Sequence, residues 1–290
     1  MTGTVVNRRR FLASLSALPW LVSRSTLASQ LRVAALDWAL AETMIALGHN
    51  PIAIIGASDW NRFVVEPQLP AGITDLGLQP EINFELLASL APDLILVSPF
   101  AQDLEPGLRR IATTLRLSIF EPGKTPLAQP RALTRLLGER LGRVDVAEAY
   151  LAKAERTFDD YRTRIQARPP RPLLLVSFLD SRHVRVYGGA GLYQNVLDRI
   201  GLSNAWTAET NYWGYSTVGI ERLATNRDVE LITFEPVLPD VQATLQHSPL
   251  WTKLPFVQAG RTATLPSVLM FGAMPSALRF ARLLVGHVTR

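Results

Sequence analysis

The stretch from Val144 to Ala167 reads VDVAEAYLAKAERTFDDYRTRIQA and lies at the middle of a 290-residue chain. Its apolar side chains fall at Val144, Ala147, Tyr150, Leu151, Ala154, Phe158, Tyr161 and Ile165. Steps of three and four residues place them on one helical stripe. Asp145 followed three residues later by Glu148 reads as a capping box, and Pro169-Pro170 forbids continuation. No Gly or Pro interrupts the middle. About 22 residues at 1.5 Å each make a rod of roughly 33 Å, the width of a small domain. The narrow stripe and charged flanks put this helix on a surface. Two architectures accommodate it: a long helix inside one domain, or a backbone joining two lobes.

Both flanks read as alternating strands and helices. Before the rod, strands are expected at Leu31–Leu36, Ile52–Ile55, Leu94–Val97 and Ser118–Phe120. Helices are expected at Ala39–Leu47, Phe84–Leu90 (capped by Asn83), Leu108–Leu115 and Arg131–Leu141. After it, strands are expected at Leu173–Phe178, Val184–Tyr187, Leu231–Phe234 and Thr262–Leu265. Helices there are Leu192–Ile200, Glu221–Ala224, His247–Lys253 and Ser276–Val288. The segment from Asn83 to Leu96 can be laid over that from Gly219 to Ile232. Each has an acid, Glu85 or Glu221, at the start of a short helix, then an acid leading into a buried strand. The pattern predicts an α/β protein with mostly parallel sheets flanked by helices. In such sheets ligands bind at the carboxyl ends of the strands, and two lobes can turn those ends toward one cleft.

Composition narrows the chemistry. There are no cysteines, which excludes disulfides, thiolate metal sites, a cysteine nucleophile and a lipid-modified cysteine. Arg8, Arg9, Arg10 and Arg24 have no acid beside them before residue 28, and removing these four from the net charge of +5 leaves +1. A nearly neutral remainder has no electrostatic footprint for nucleic acid. Residues 1–28 read as an export signal. Asn7-Arg8-Arg9-Arg10-Phe11-Leu12 is a twin-arginine pattern, the apolar run Phe11–Val22 is too short to span a bilayer, and Thr26 and Ala28 suit cleavage after Ala28. Export of a folded chain to a periplasm is the expectation.

Aromatic side chains are concentrated in the expected strand-end loops: Trp38, Trp60, Phe63, Phe100, Tyr187, Tyr193, Tyr212, Trp213, Tyr215 and Phe271. The run Asn211-Tyr212-Trp213-Gly214-Tyr215 stands out, with three aromatics in four residues and no helical or strand period. Such loops offer area and flat faces to bulky, partly apolar ligands. His49, His183, His247 and His287 are scattered, so no metal site is expected. Gly188-Gly189-Ala190-Gly191 reads as a plain turn before a helix rather than an anion cradle, because the phosphate-loop spacing and Lys are missing. Asp37, Asp59 and Asp180 stand at strand ends, where acids more often cap helices than work as acid–base pairs. No nucleophile elbow is present. Glu85 and Glu221 are either helix-start carboxylates favoured by the dipole or exposed charges, one per lobe, for a basic partner.

Residue runs through nearly the whole chain resemble the periplasmic ferric-hydroxamate siderophore-binding family. They are the leader Asn7–Leu12, Leu36-Asp37-Trp38, Glu66-Pro67-x-Leu69-Pro70, Asp75-Leu76-Gly77-Leu78 and Asn83-x-Glu85-Leu86-Leu87. Arg171–Leu175, Asn204-Ala205-Trp206, Glu209–Gly214, Pro249-Leu250-Trp251 and Pro255-Phe256-Val257 continue the match. The resemblance implies the helical-backbone class of ABC-transporter binding protein (class III): a signal at 1–28, an α/β lobe at 29–143, the linking helix at 144–167 and a second α/β lobe at 168–290. It implies a ferric siderophore, hydroxamate in type, held between lobes that move little and handed to an inner-membrane ABC permease and its ATPase. No catalysis and no resident cofactor are implied, since iron travels within the ligand; a monomer is expected. Together with the aromatic loops, the resemblance gives a ligand-binding set of Trp38, Trp60, Phe63, Gln79, Phe100, Tyr187, Asn211, Trp213, Tyr215 and Leu269, and implies Glu85 and Glu221 docking the permease. Gln79 stands where the family has an Arg, and Phe100 near its Tyr, so the cleft floor is less cationic. Strongly anionic chelates are then disfavoured unless Arg62 or Arg182 reaches in. A cobalamin or haem carrier on the same fold, and an exported hydrolase using the strand-end acids, are the competing readings.

Overall fold

A computed structural model describes residue 2 and residues 31–78, 81–118, 127–189, 191–225 and 228–290. Residues 31–290 form one compact unit with two five-stranded sheets, one on each side of the long helix. The first half runs β1 (Val33–Ala35), α1 (Trp38–Ala46), β2 (Ala53–Ile54), α2 (Trp60–Phe63), β3 (Thr74–Asp75), α3 (Phe84–Ser89), β4 (Leu94–Val97), α4 (Glu105–Leu108), β5 (Thr113–Arg116) and α5 (Ala128–Arg140). Helix α6 (Val144–Ala167) follows. The second half runs β6 (Leu173–Phe178), β7 (His183–Tyr187), α7 (Leu192–Ile200), β8 (Tyr215–Gly219), β9 (Glu230–Phe234), α8 (Pro239–His247), α9 (Pro249–Thr252), α10 (Pro255–Gln258), β10 (Thr262–Leu265) and α11 (Met274–Val288).

The first sheet is ordered β3-β2-β1-β4-β5 and is parallel throughout. Its strand order reverses between β1 and β4, where a ligand crevice is expected outside the carboxyl ends. The second sheet is ordered β10-β9-β6-β7-β8. Strands β10, β9 and β6 are parallel, whereas β7 and β8 add antiparallel pairs. Within the two overlaid segments, α3 and a 3₁₀ turn at Ile220–Thr225 precede β4 and β9, and both strands lie inside their sheets.

The segment expected as one helix at Leu108–Leu115 is instead the end of α4 and the edge strand β5. Its Thr113-Thr114 pair suits an edge strand, and Arg116 at its end binds Glu105 at 2.9 Å. Strands β3 and β8 and helix α8 were not foreseen. The short helix expected at His247–Lys253 is α9, separated from α8 by Ser248. Most of the strand expected at Ser118–Phe120 lies outside the described residues.

Helix α6 has the expected boundaries, and its 24 residues span about 36 Å. The capping box does not form: the N-cap is Arg143, with no side-chain cap bond. Glu148 turns to α5 instead, accepting from Arg135 Nε at 2.8 Å. One end of the stripe, Ala147, joins the first lobe's core, while Leu151, Ala154, Phe158 and Ile165 enter the second lobe's. Gly138 on α5 lets the helices nearly touch, since a Cβ there would come within 2.5 Å of the Ala147 Cβ. At mid-helix, Glu155 takes Arg131 from α5 at 2.5 Å and Arg199 from α7 at 2.9 Å. Burial acts to raise its pKa, but the two guanidiniums outweigh it and hold the carboxyl below its ordinary value.

Helix α6 links the lobes, as expected. Chain residues 267–282 return to the first lobe and form a second, non-covalent brace. Ala273 lies in the first lobe's core, and α11 packs on α1, α5, α6 and α7. Fully buried Glu42 on α1 caps α11, accepting from Ala273 N and Ser276 Oγ, both at 2.6 Å. Buried Arg279 donates to Glu66 at 2.7 Å and to Ser267 O at 2.9 Å, and Arg282 joins the same carboxylate at 2.7 Å.

Desolvation pushes the Glu42 pKa up to about 8, against the hydrogen bonds from Ser276 and Ala273. The folded protein therefore holds a proton that the unfolded chain releases above its ordinary carboxyl pKa of 4.5. Stability from this group is complete below pH 4.5 and is lost as pH rises through about 8. The slope is up to about 1.4 kcal/mol per pH unit. Glu42→Gln keeps a carbonyl acceptor for Ala273 and cannot ionise. In urea unfolding at pH 5 the variant is expected to match the wild type, and at pH 8.5 to exceed it by a few kcal/mol. A difference that stays constant with pH would show that Glu42 does not titrate in this range.

Candidate functional site

The crevice at the β1/β4 reversal is lined from both lobes. Asp37 lies just beyond β1 and caps α1 through Ala39 N at 2.8 Å, which fixes Trp38 as the first helical residue. The Trp38 Nε1 donates to Ile55 O at 2.8 Å, and its ring stacks on Phe63 at 5.9 Å and 23°. Arg62 places its guanidinium over the other ring of that pair, 5.1 Å from the Phe63 centroid. Ser267 Oγ reaches across from the second half to donate to Phe63 O at 3.2 Å.

Phe100 follows β4 and remains 49% exposed. It stacks on Trp213 of the second lobe, with centroids 4.8 Å apart and an interplanar angle of 26°. Phe271 packs edge-on against both, at 6.1 Å from Phe100 and 5.7 Å from Trp213. Exposed Tyr212 stands perpendicular to Trp213 at 4.8 Å. Half-buried Leu269 packs with Trp38 and Phe271 on the first lobe's core. These rings form one apolar shelf across the junction of the lobes.

The Trp213 loop is rigid for a local reason. Asn211 Oδ1 accepts from Trp213 N at 3.0 Å and Tyr215 N at 3.3 Å, and Gly214 N donates to Asn211 O. Gly214 has φ +78° and lies so close to the start of α7 that a Cβ would meet the Gly191 Cα at 2.5 Å. The 188–191 glycines thus seat this loop rather than cradle an anion; Ala190 lies outside the described residues. The Asn211 carbonyl is committed to the loop backbone.

Two expected contacts are corrected. Trp60 has no exposed surface and donates from Nε1 to Pro67 O at 2.8 Å. It is core. Tyr187 is 5% exposed, donates to Ser177 Oγ at 2.9 Å and packs on Tyr193. It supports the site from beneath, because its strand alternation turns it toward α7 and α11. Tyr215, directly opposite it, is half-buried under Arg185, whose guanidinium is 5.0 Å from the ring centroid. Nothing in the sequence pattern singled out Arg185, since one arginine in a strand is ordinary. Gln79 lies outside the described residues.

Two of the three strand-end acids have structural partners. Asp37 caps α1, and Asp180 Oδ1 accepts from Arg182 N and His183 N in the β6–β7 turn. Among the described residues no three His, Cys, Asp or Glu side chains are grouped to hold a metal, and no helix is long and apolar enough to cross a membrane. Glu85 and Glu221 are both exposed and form no ion pair among the described residues. Each stands in the first turn of the short helix that precedes an interior strand.

Two lobes, a helical brace behind them and an aromatic shelf between them define a binding protein for a bulky small molecule. The family model of the periplasmic binding proteins matches residues 33–269, and the chain belongs to that family. It is 35% identical over 284 residues, 97% of this chain and 96% of the relative, to the iron(3+)-hydroxamate-binding protein FhuD of Escherichia coli (strain K12). It is 29% identical over 280 residues, 88% of this chain and 86% of the relative, to the achromobactin-binding periplasmic protein of Dickeya dadantii (strain 3937). The crystal structure of FhuD from Vibrio cholerae with bound Fe3+-Desferal superposes with a TM-score of 0.84 at 27% identity, covering 90% of this chain and 98% of that one.

Proposed function

We propose that this chain is a periplasmic carrier that captures a ferric siderophore, hydroxamate in type, and delivers it to an ABC permease for iron uptake. The observation that carries the reading is the Phe100–Trp213–Phe271 shelf between the lobes in a chain 35% identical to a ferric-hydroxamate-binding protein. The rings receive the organic body of the chelate and exclude water from it. The cleft polar groups meet the oxygens around the iron, which is cargo rather than a resident cofactor. A cleft already assembled by two braces limits the ordering cost of binding. The leader at 1–28, the lobe limits at 29–143 and 168–290, a monomeric state and permease contact through Glu85 and Glu221 belong to the same proposal. The hydrolase reading is the weaker one, since Asp37 and Asp180 are spent on a cap and a turn.

Tryptophan fluorescence tests this directly. A ferric hydroxamate is expected to quench the signal saturably, while the iron-free chelator at equal dose leaves it unchanged. No quenching across a panel of ferric siderophores would sink the proposal, and saturable quenching by haem or cobalamin alone would replace the cargo.

A further inference from the structure

The second lobe holds a cation that the aromatic shelf does not use. Ser177, Arg185 and Thr217 are in register across β6, β7 and β8, so they form one row on one face of the sheet. The next row on that face is aromatic, with Tyr187 opposite Tyr215, and Leu175 and Phe234 lie in the core behind it. The face therefore turns from apolar to polar in the last row before β6 ends at Phe178. That end is the carboxyl edge, where ligands of such sheets bind.

Arg185 differs from three other sheltered arginines. Arg131, Arg199 and Arg279 each hold a carboxylate. Arg185 makes no ion pair among the described residues, and its buried Nε has no hydrogen-bond partner. Its guanidinium rests on Tyr215, two residues from Trp213, and that stacking holds it in place. A half-buried guanidinium with unspent donors receives oxygen atoms bearing negative charge, through bonds roughly twice as strong as neutral ones. Arg62 on Phe63 is the matching cation of the first lobe, but it is exposed and more strongly screened.

We propose that Arg185, in its row with Ser177 and Thr217, selects the cargo by charge and favours ferric chelates with a net negative charge. Three hydroxamates lose one proton each and cancel the three charges of iron(III). An α-hydroxycarboxylate that loses two protons in place of one hydroxamate leaves the chelate at −1. The preferred class is thus a mixed hydroxamate–carboxylate chelate. This rests on the ferric-siderophore reading above and reverses the expectation that a less cationic floor disfavours anionic chelates.

The test titrates the full-length protein with two probes, a neutral ferric trihydroxamate and the ferric chelate of a citrate carrying two hydroxamate arms. The wild type is expected to bind the anionic chelate more tightly, and the preference to shrink as salt rises. Arg185→Gln is expected to weaken the anionic chelate about 10–150-fold, the range of one charged hydrogen bond, and the neutral one less than about threefold. Arg185→Lys should restore part of the loss. An equal effect on both probes, or none, overturns the selectivity role while leaving the siderophore reading standing. Binding of neither probe by the wild type overturns both.

Discussion

Ferric-siderophore uptake is expected to stop when Glu85 and Glu221 are both replaced by alanine, while the purified protein keeps its ligand affinity within about twofold. The two carboxylates occupy equivalent places, each in the first turn of a short helix leading into an interior strand of its lobe. Both are exposed and without an ion pair among the described residues, so their removal leaves no buried charge behind. Surface substitutions of this kind shift stability by less than about 0.5 kcal/mol. Across a protein interface the same charge, once desolvated against an arginine, is worth about 2–5 kcal/mol when its partner is lost. Two such points, one on each lobe, also fix the orientation of docking, and each single variant should retain part of the transport. Iron accumulation by cells carrying the double variant, set beside fluorescence titration of the same protein, decides the matter. Normal uptake would remove the docking role.

Trp213→Ala is expected to weaken binding of the ferric siderophore by about 1–3 kcal/mol, or roughly 5–150-fold. The indole touches Phe100, Phe271 and Tyr212 and is the member of the shelf that joins the lobes. Its loop should survive the change, because the holding bonds come from Asn211 and the backbone. The loss is therefore one of contact area rather than of folding. Trp213→Phe should recover much of it by restoring a flat face. Calorimetric titration of both variants is the check, and an unchanged affinity for Trp213→Ala would take the indole out of the site.

Much of this was legible from local pattern. The rod at Val144–Ala167 was readable to the residue because 24 positions carry one apolar period with no interruption and a proline pair beyond them. Trp213 was legible because aromatics crowded beside a glycine fit neither period. Trp60 misled for a physical reason: indole is amphipathic, and a buried one needs only a single acceptor, here the Pro67 carbonyl, to be as content as an exposed one. Strand β5 was missed because short edge strands carry little hydrophobic signal. The second brace was invisible, since Glu42 and Ala273 lie 231 residues apart and a buried acid within an apolar helix gives no hint of its partner. Arg185 became conspicuous only when the register showed it had none.

That brace has a consequence for the order in which the molecule is finished. The first lobe encloses an acid whose oxygens accept from Ala273 and Ser276, near the far end of the chain. During synthesis, nearly the whole polypeptide must emerge before the earliest core is complete. Half-made chains would wait with an open seam in the α1 packing, and the N-terminal half alone should not fold as a separable piece.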